Sequence, residues 1–225
     1  MSTSTAPTHR PGPGASVSYN LSGIAVLVLL CAVGAAYLLE AVIRADKPVL
    51  PRQDDAQTVS LTLSGKDLTI PKSWFRLEGP VRAEFSSQID LRIALNSSQS
   101  NSPMRVDVTL VPRSRVRPSS ALLDGVYLHQ FENGTASGVP GLVGKPLKAS
   151  GGYSDETVWY DPLSPAPFVA KCQSPLVGSQ QGQCLRSVYL PSGIAAIYRF
   201  DTSLLTSWRD FDDQMNQWLE RIGAL

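Results

Sequence analysis

Hydrophobic and polar residues alternate along much of the chain beyond residue 57, in the manner of β-strands. In Thr58–Leu63 and Gln88–Leu95, apolar side chains occupy every second position, so one face of each strand is apolar. A polar turn, Ser64–Asp67, separates the first strand from the apolar Leu68–Ile70, which predicts a β-hairpin. Further strands are predicted at Met104–Val111, Leu142–Ala149, Glu156–Tyr160, Phe168–Cys172, Gln183–Leu190 and Ile194–Phe200.

Two other segments repeat their apolar positions every three or four residues, which is the spacing of an amphipathic helix. The first begins at Ser119 or Ser120 and ends near Gly134. The second forms the C-terminus, with its apolar stripe at Leu204, Trp208, Phe211, Met215, Trp218, Ile222 and Leu225. We therefore expect one α+β domain over residues 58–225, in which two helices pack against a mostly antiparallel sheet.

The longest apolar run precedes this domain. Leu21–Leu39 contains no charged residue, and as a helix it would be about 28 Å long, close to the thickness of a bilayer's hydrocarbon core. We predict an N-terminal transmembrane helix over residues 21–43, a disordered tail over residues 1–20 and a juxtamembrane linker over residues 44–57. A cleaved signal peptide is the alternative, but this run is longer than a signal needs and no clean A-x-A site follows it.

The cysteines and the flanking charges make opposite predictions about the side of the membrane on which the domain lies. Cys172 and Cys184 bracket a polar loop, and a disulfide there would stabilise the fold by about 3 kcal/mol, although two unlinked thiols are the alternative. Such bonds persist outside the cytosol, which predicts an inner-membrane protein with a periplasmic or extracellular domain. Arg44, Lys47 and Arg52 favour the reverse orientation, but the charge rule weakens for long domains.

The domain contains no motif that predicts a catalytic residue, a cofactor or a metal. His129 is the one histidine beyond residue 57 and lies within a predicted helix, so a catalytic triad or a histidine-based zinc site is not expected. Gly144-Lys145 resembles part of a phosphate loop, but Val139 stands where that loop needs glycine and Pro146 where it needs Ser or Thr. We expect no cofactor, no metal and no catalytic group.

Two aromatic pairs form the candidate interaction surface. Trp74 and Phe75 follow a turn that begins with Pro71, and Trp159 and Tyr160 lie in a predicted strand. Aromatic residues dominate the binding energy of many protein interfaces. These four residues are therefore predicted to contact a partner protein of the cell envelope.

Three carboxylates surround the second aromatic pair, and they offer an enzymatic alternative. Asp155 and Glu156 precede Trp159, and Asp161 follows Tyr160. Paired carboxylates beside aromatic platforms are used by glycosidases, which need the two groups about 5–10 Å apart. Because neighbouring residues of a strand point to opposite faces, the spacing argues against such a pair.

The basic residues do not predict nucleic-acid binding, since the net charge is only +1 and no aromatic platform is interleaved with them. Arg113, Arg115 and Arg117 alternate just after a predicted strand. They would form either a small patch that meets anionic lipid headgroups or, as we favour, a solvated strand end.

The combination of Leu21–Leu39, one cysteine pair and the closing strand and helix resembles single-pass inner-membrane proteins of Gram-negative bacteria with a periplasmic domain. The order of hairpin, Pro71-x-x-Trp74 turn, mid-domain helix and closing strand–helix is also similar to the PsbP-like fold. That second resemblance implies a domain that binds partners rather than one that catalyses.

Three functions follow as hypotheses. The leading one is a membrane-anchored extracytoplasmic module without catalytic activity that binds or scaffolds another envelope protein. The alternatives are an envelope hydrolase that acts on glycan or peptide through Asp155, Glu156 or Asp161, and a small-ligand or lipid carrier with an apolar pocket between the sheet and the C-terminal helix. The sequence leaves the oligomeric state open.

Overall fold

A computed structural model of the chain describes residues 24, 26–36, 57–76, 85–95, 103–175 and 182–225. The chain divides into two compact units, Met1–Val49 and Leu50–Leu225. Residues 26–36 of the first unit are helical. Within the described ranges no helix is both long and apolar enough to cross a membrane, so the span predicted over residues 21–43 is not confirmed. The tail over residues 1–20 and the linker up to residue 56 lie outside the described residues.

The second unit is built on two antiparallel sheets. Its strands are β1 (Thr58–Leu63), β2 (Lys66–Pro71), β3 (Ile89–Leu95), β4 (Met104–Pro112), β5 (Val143–Pro146), β6 (Glu156–Tyr160), β7 (Val169–Gln173), β8 (Gln183–Tyr189) and β9 (Ile194–Asp201). The β1–β2 hairpin stands apart, and the other seven strands form one sheet in the order β3–β4–β9–β8–β7–β6–β5. All neighbouring strands pair antiparallel, which confirms the predicted α+β domain with a mostly antiparallel sheet.

The hairpin forms where the sequence predicts it. Ser64 and Gly65 connect its strands with φ angles of 56° and 80°, the conformation of a two-residue type I′ turn. Leu61 and Leu63 of β1, with Leu68 of β2, are buried and join the main core. The hairpin therefore covers part of the same sheet face as the C-terminal helix.

The C-terminal helix, Trp208–Arg221, packs on one face of the seven-stranded sheet. It is preceded by a 3-10 turn, Thr202–Ser207, in which the carboxylate of Asp201 accepts a hydrogen bond from the backbone N–H of Ser203. The ring of Phe211 lies 5.6 Å from that of Tyr198 and 4.7 Å from that of Phe200, between centroids. These aromatic contacts fill the centre of the core.

The mid-domain helical segment packs on the opposite face of the sheet. It comprises Ser119–Leu122, a π-helical turn at Leu123–Tyr127 and a last α turn at Leu128–Gln130, where the sequence predicted one continuous helix. The segment ends before Gly134 because Phe131 is extended and pairs with Leu147 beside β5.

A second, smaller core lies under this segment, with Leu123 and Tyr127 packed against Val158 of β6 and Val169 of β7. A hydrogen bond from the backbone N–H of Ser187 to Oγ of Ser119, 2.8 Å long, ties the helical segment to β8. The sheet is thus covered on both faces around β7 and β8.

Candidate interaction surface

The two cysteines of the domain are bonded to each other. Cys172 of β7 and Cys184 of β8 face each other across the two strands and form a disulfide. Both are buried in the main core. The predicted disulfide is confirmed, and it joins the two strands that flank residues 174–182.

The first predicted aromatic pair belongs largely to the core. Trp74 is 2% exposed and meets Trp218 of the C-terminal helix edge to face, with 4.6 Å between ring centroids. Phe75 is half-buried and forms an isolated antiparallel β-bridge with Leu91 of β3. The indole of Trp74 therefore fixes the hairpin to the helix and is not available at the surface.

The second predicted pair is divided between the two faces of the sheet. Trp159 packs on the helix side over Gly144, where an added Cβ would come within 2.7 Å of the indole ring. Tyr160 stacks on Phe131 on the other side, with centroids 6.1 Å apart and ring planes at 10°. Phe75 adjoins the edge strand β3, and five strand spacings, about 24 Å, separate β3 from β6, which carries Trp159 and Tyr160. The two pairs do not form one continuous surface, and their role in binding stays a prediction.

The three candidate carboxylates lie at the two ends of β6, with Asp155 and Glu156 at its start and Asp161 after its end. Glu156 accepts hydrogen bonds from Nζ of Lys171 at 2.7 and 2.8 Å, whereas Asp161 accepts one from the backbone N–H of Leu163 at 3.0 Å. Glu156 begins β6 and Asp161 follows its end, so about 17 Å of strand separates them. Asp155 is exposed in a left-handed turn with φ 59°. Glu156 and Asp161 therefore lack the 5–10 Å spacing that a two-carboxylate hydrolase requires.

His129 and the arginines that follow β4 lie in different surroundings. His129 is exposed on the last turn of the mid-domain segment. Arg113 and Arg115 lie in a 3-10 turn and not in an alternating strand. The guanidinium of Arg113 lies 4.2 Å from the ring centroid of Tyr189, and Arg115 donates a hydrogen bond to the carbonyl of Ser87. Strand alternation therefore does not place the arginines on one side.

A feature that the sequence reading missed is a stack of four side chains that leads from the core to the surface. Its members, from inside to outside, are Arg186, Phe168, Trp208 and Arg209. The guanidinium of Arg186 lies 4.4 Å from the centroid of Phe168. Phe168 lies 5.8 Å from Trp208, whose ring is covered by the guanidinium of Arg209 at 4.5 Å. A guanidinium thus covers each end of the ring pair, and each cation is attracted by the quadrupole of the ring that it covers.

The inner end of the stack is held by a bidentate ion pair. Nε and Nη2 of the buried Arg186 donate to the two carboxylate oxygens of Asp212 at 3.0 and 2.5 Å, and Nη1 donates to the carbonyl of Val169 at 3.1 Å. Burial raises the pKa of the nearby Tyr198, and the Asp212 carboxylate raises it further, so this phenol stays protonated. The pair joins β8 to the first turns of the C-terminal helix.

The outer end of the stack lies at the start of that helix. The indole N–H of Trp208 donates to the carbonyl of Pro140 at 3.1 Å. Gly141 has φ 86°, and a Cβ there would come within 2.4 Å of the Arg209 guanidinium, so glycine permits the close approach. Trp208 is half-buried and Arg209 is exposed, and in the described part of the chain Arg209 has no ion pair.

The loop between β6 and β7 adjoins the stack through Phe168. The backbone N–H of Asp161 donates to the carbonyl of Phe168 at 3.0 Å, which closes the base of the loop. At its tip, Leu163 is 91% exposed. We use the name helix-start surface for three residues: Leu163, Trp208 and Arg209. The sequence signals that point to it are a Trp-Arg pair at the start of a helix and a leucine within a proline-rich loop.

Comparison with known proteins gives two structural similarities. One is to an immunity protein of the Stenotrophomonas maltophilia type IV secretion system, with a TM-score of 0.49, 11% identity, and coverage of 76% of this chain and 97% of that one. The other is to FrpD, an iron-regulated outer membrane lipoprotein of Neisseria meningitidis, with a TM-score of 0.45, 9% identity, and coverage of 77% and 94%. No protein-family model and no curated protein matches the sequence. Because both TM-scores lie below 0.5, no function is inferred from these similarities.

Proposed function

We propose that this chain is a membrane-anchored extracytoplasmic module that binds another envelope protein and does not catalyse a reaction. The helix-start surface is the proposed contact. The observation that carries the proposal is the stack that holds Trp208 and Arg209 against the core, and its member Phe168 ends the loop that exposes Leu163. Trp and Arg are enriched among the residues that dominate binding energy, and side chains held in place lose little entropy when a partner binds.

The disulfide supports the extracytoplasmic location. The bond between Cys172 and Cys184 would be kept reduced in most cytosols but persists in the periplasm or outside the cell. The anchor over residues 21–43 remains part of the proposal, since it rests on the uncharged run Leu21–Leu39. Together they support a domain on the outer side of the inner membrane.

The alternative functions have less support from the described residues. A hydrolase based on Glu156 and Asp161 would need these carboxylates much closer together. A lipid or small-ligand carrier would need space between the sheet and the C-terminal helix. There Phe211, Met215 and Leu219 are at most 1% exposed and pack tightly on the sheet.

The test is site-specific photo-crosslinking of the full-length chain in intact cells of its source organism. A photoreactive amino acid at Asp210, which is exposed beside Arg209, should give a discrete protein adduct. The same probe at Glu220 is the matched control, since it is exposed on the same helix about 15 Å along the axis. Arg209→Ala should reduce the adduct from position 210. The absence of an adduct at 210, or an equal one at 220, would contradict the proposal.

A further inference from the structure

Leu163 is the most exposed large apolar side chain among the described residues. It is 91% exposed, while Leu185 and Leu128, two other exposed leucines of the second unit, are 39% and 48% exposed. A single exposed leucine is common on protein surfaces. What distinguishes Leu163 is how firmly the surrounding backbone holds it away from the protein.

Hydrogen bonds within the loop fix its conformation at the tip. The backbone N–H of Leu163 donates to Oδ1 of Asp161 at 3.0 Å, and the N–H of Ala166 donates to Oγ of Ser164 at 3.2 Å. The loop also contains three prolines, each with a fixed φ angle: Pro162, Pro165 and Pro167. The tip therefore has few alternative conformations to lose when it binds.

The base of the loop is anchored in the core. Phe168 is 5% exposed and is held between the guanidinium of Arg186 at 4.4 Å and the ring of Trp208 at 5.8 Å. The hydrogen bond from Asp161 N–H to the carbonyl of Phe168 closes the base. With its last residue fixed in the core and its ends joined, the loop keeps Leu163 in solvent.

The fully exposed side chains at the tip are apolar. Pro162, Pro165 and Ala166 are exposed around Leu163, and the carboxylate of Asp161 already accepts the N–H of Leu163. A small apolar projection of this kind is complementary to a concave apolar pocket and not to a flat polar surface.

We propose that Leu163 is an anchor residue that inserts into an apolar pocket on a folded partner protein. This inference rests on the proposed function and identifies the chemistry of the partner's site. The charges nearby favour a protein over a lipid surface, because Asp210 and Asp213 are exposed on the first turns of the helix that begins at Trp208, where Arg209 is the one exposed cation. Anionic headgroups attract clusters of basic residues, whereas a protein pocket with a basic rim complements these carboxylates.

The experiment measures how the adduct from the probe at position 210 depends on side-chain size at position 163. Leu163→Ala should reduce the adduct yield at subsaturating partner about ten- to hundred-fold, the range expected when burial of one leucine side chain is lost. Leu163→Met should retain most of the yield, because it keeps the volume. Leu185→Ala is the matched control at an exposed leucine on β8 and should leave the yield unchanged.

The outcomes separate this inference from the proposed function. If Arg209→Ala removes the adduct while Leu163→Ala leaves it unchanged, the surface binds a partner but Leu163 is not its anchor. If the chain that carries the probe at position 210 and no other substitution gives no adduct, the proposed function itself fails. If the probe at position 210 gives an adduct only with lipid, the proposed protein pocket is overturned. Urea unfolding of Leu163→Ala should match that of the unmodified chain, which excludes misfolding as the cause.

Discussion

Removal of the Asp212 carboxylate should destabilise the domain measurably. Arg186 is buried, and Asp212→Ala would leave its guanidinium with the carbonyl of Val169 and the ring of Phe168 as remaining partners. Breaking a buried ion pair from one side costs about 3–5 kcal/mol. Because the Asp212 side chain is 42% exposed, water can replace part of the interaction, and we expect a loss of about 2 kcal/mol.

The assay is urea unfolding of the purified full-length chain in mild detergent with the disulfide intact. With an m-value of about 2 kcal/mol per molar urea, a loss of this size lowers the midpoint by about 1 M. Asp213→Ala is the matched control, since Asp213 is exposed on the same helix and its removal should change stability by less than about 0.5 kcal/mol.

A double variant tests whether the loss of stability comes from the unpaired charge of Arg186. Replacing both partners, with Arg186→Met and Asp212→Ala, removes the uncompensated charge and should recover part of the lost stability. If Asp212→Ala unfolds at the same urea concentration as the unmodified chain, the ion pair does not hold the stack, and our account of its inner end is refuted.

Two further predictions concern the disulfide and the behaviour at high pH. Replacing Cys172 and Cys184 together with Ser should lower the free energy of unfolding by about 3 kcal/mol, as reported by the urea midpoint, and an unchanged midpoint would contradict a stabilising role. Burial raises the pKa of Tyr127 to about 12, with Glu156 adding to the effect. The folded state thus favours the neutral phenol, so this stabilisation is complete below the unfolded pKa of about 10 and is lost as pH rises toward 12. Between pH 9 and 11 the urea midpoint of Tyr127→Phe should fall less than that of the unmodified chain; equal losses would contradict this.

Local patterns in the sequence were sufficient to predict most of the fold. The alternation in Thr58–Leu63 and the turn at Ser64-Gly65 specify a hairpin without reference to the rest of the chain. The apolar stripe likewise predicts the C-terminal helix, although Leu204 lies in the preceding 3-10 turn and Ile222 and Leu225 follow the end of the helix at Arg221. The π-helical turn at Leu123–Tyr127 was missed, because helical spacing alone does not distinguish it from an α turn.

The candidate surface could not be predicted in the same way, because it depends on contacts between distant parts of the chain. Phe168, Arg186 and Trp208 lie in a loop, a strand and a helix, and only the tertiary fold brings them into one stack. Periodicity assigned Trp208 to the core stripe, where it is half-buried. The opposite error occurs at Trp74. Its position in a turn predicted a surface residue, but it lies in the core against Trp218.

The most direct test of the central claim compares crosslinking from positions 210 and 220 in intact cells. The account predicts a discrete protein adduct from position 210 that is absent from position 220 and that Arg209→Ala weakens. An equal yield from both positions, or no protein adduct from position 210, would show that the helix-start surface is not where this domain meets a partner.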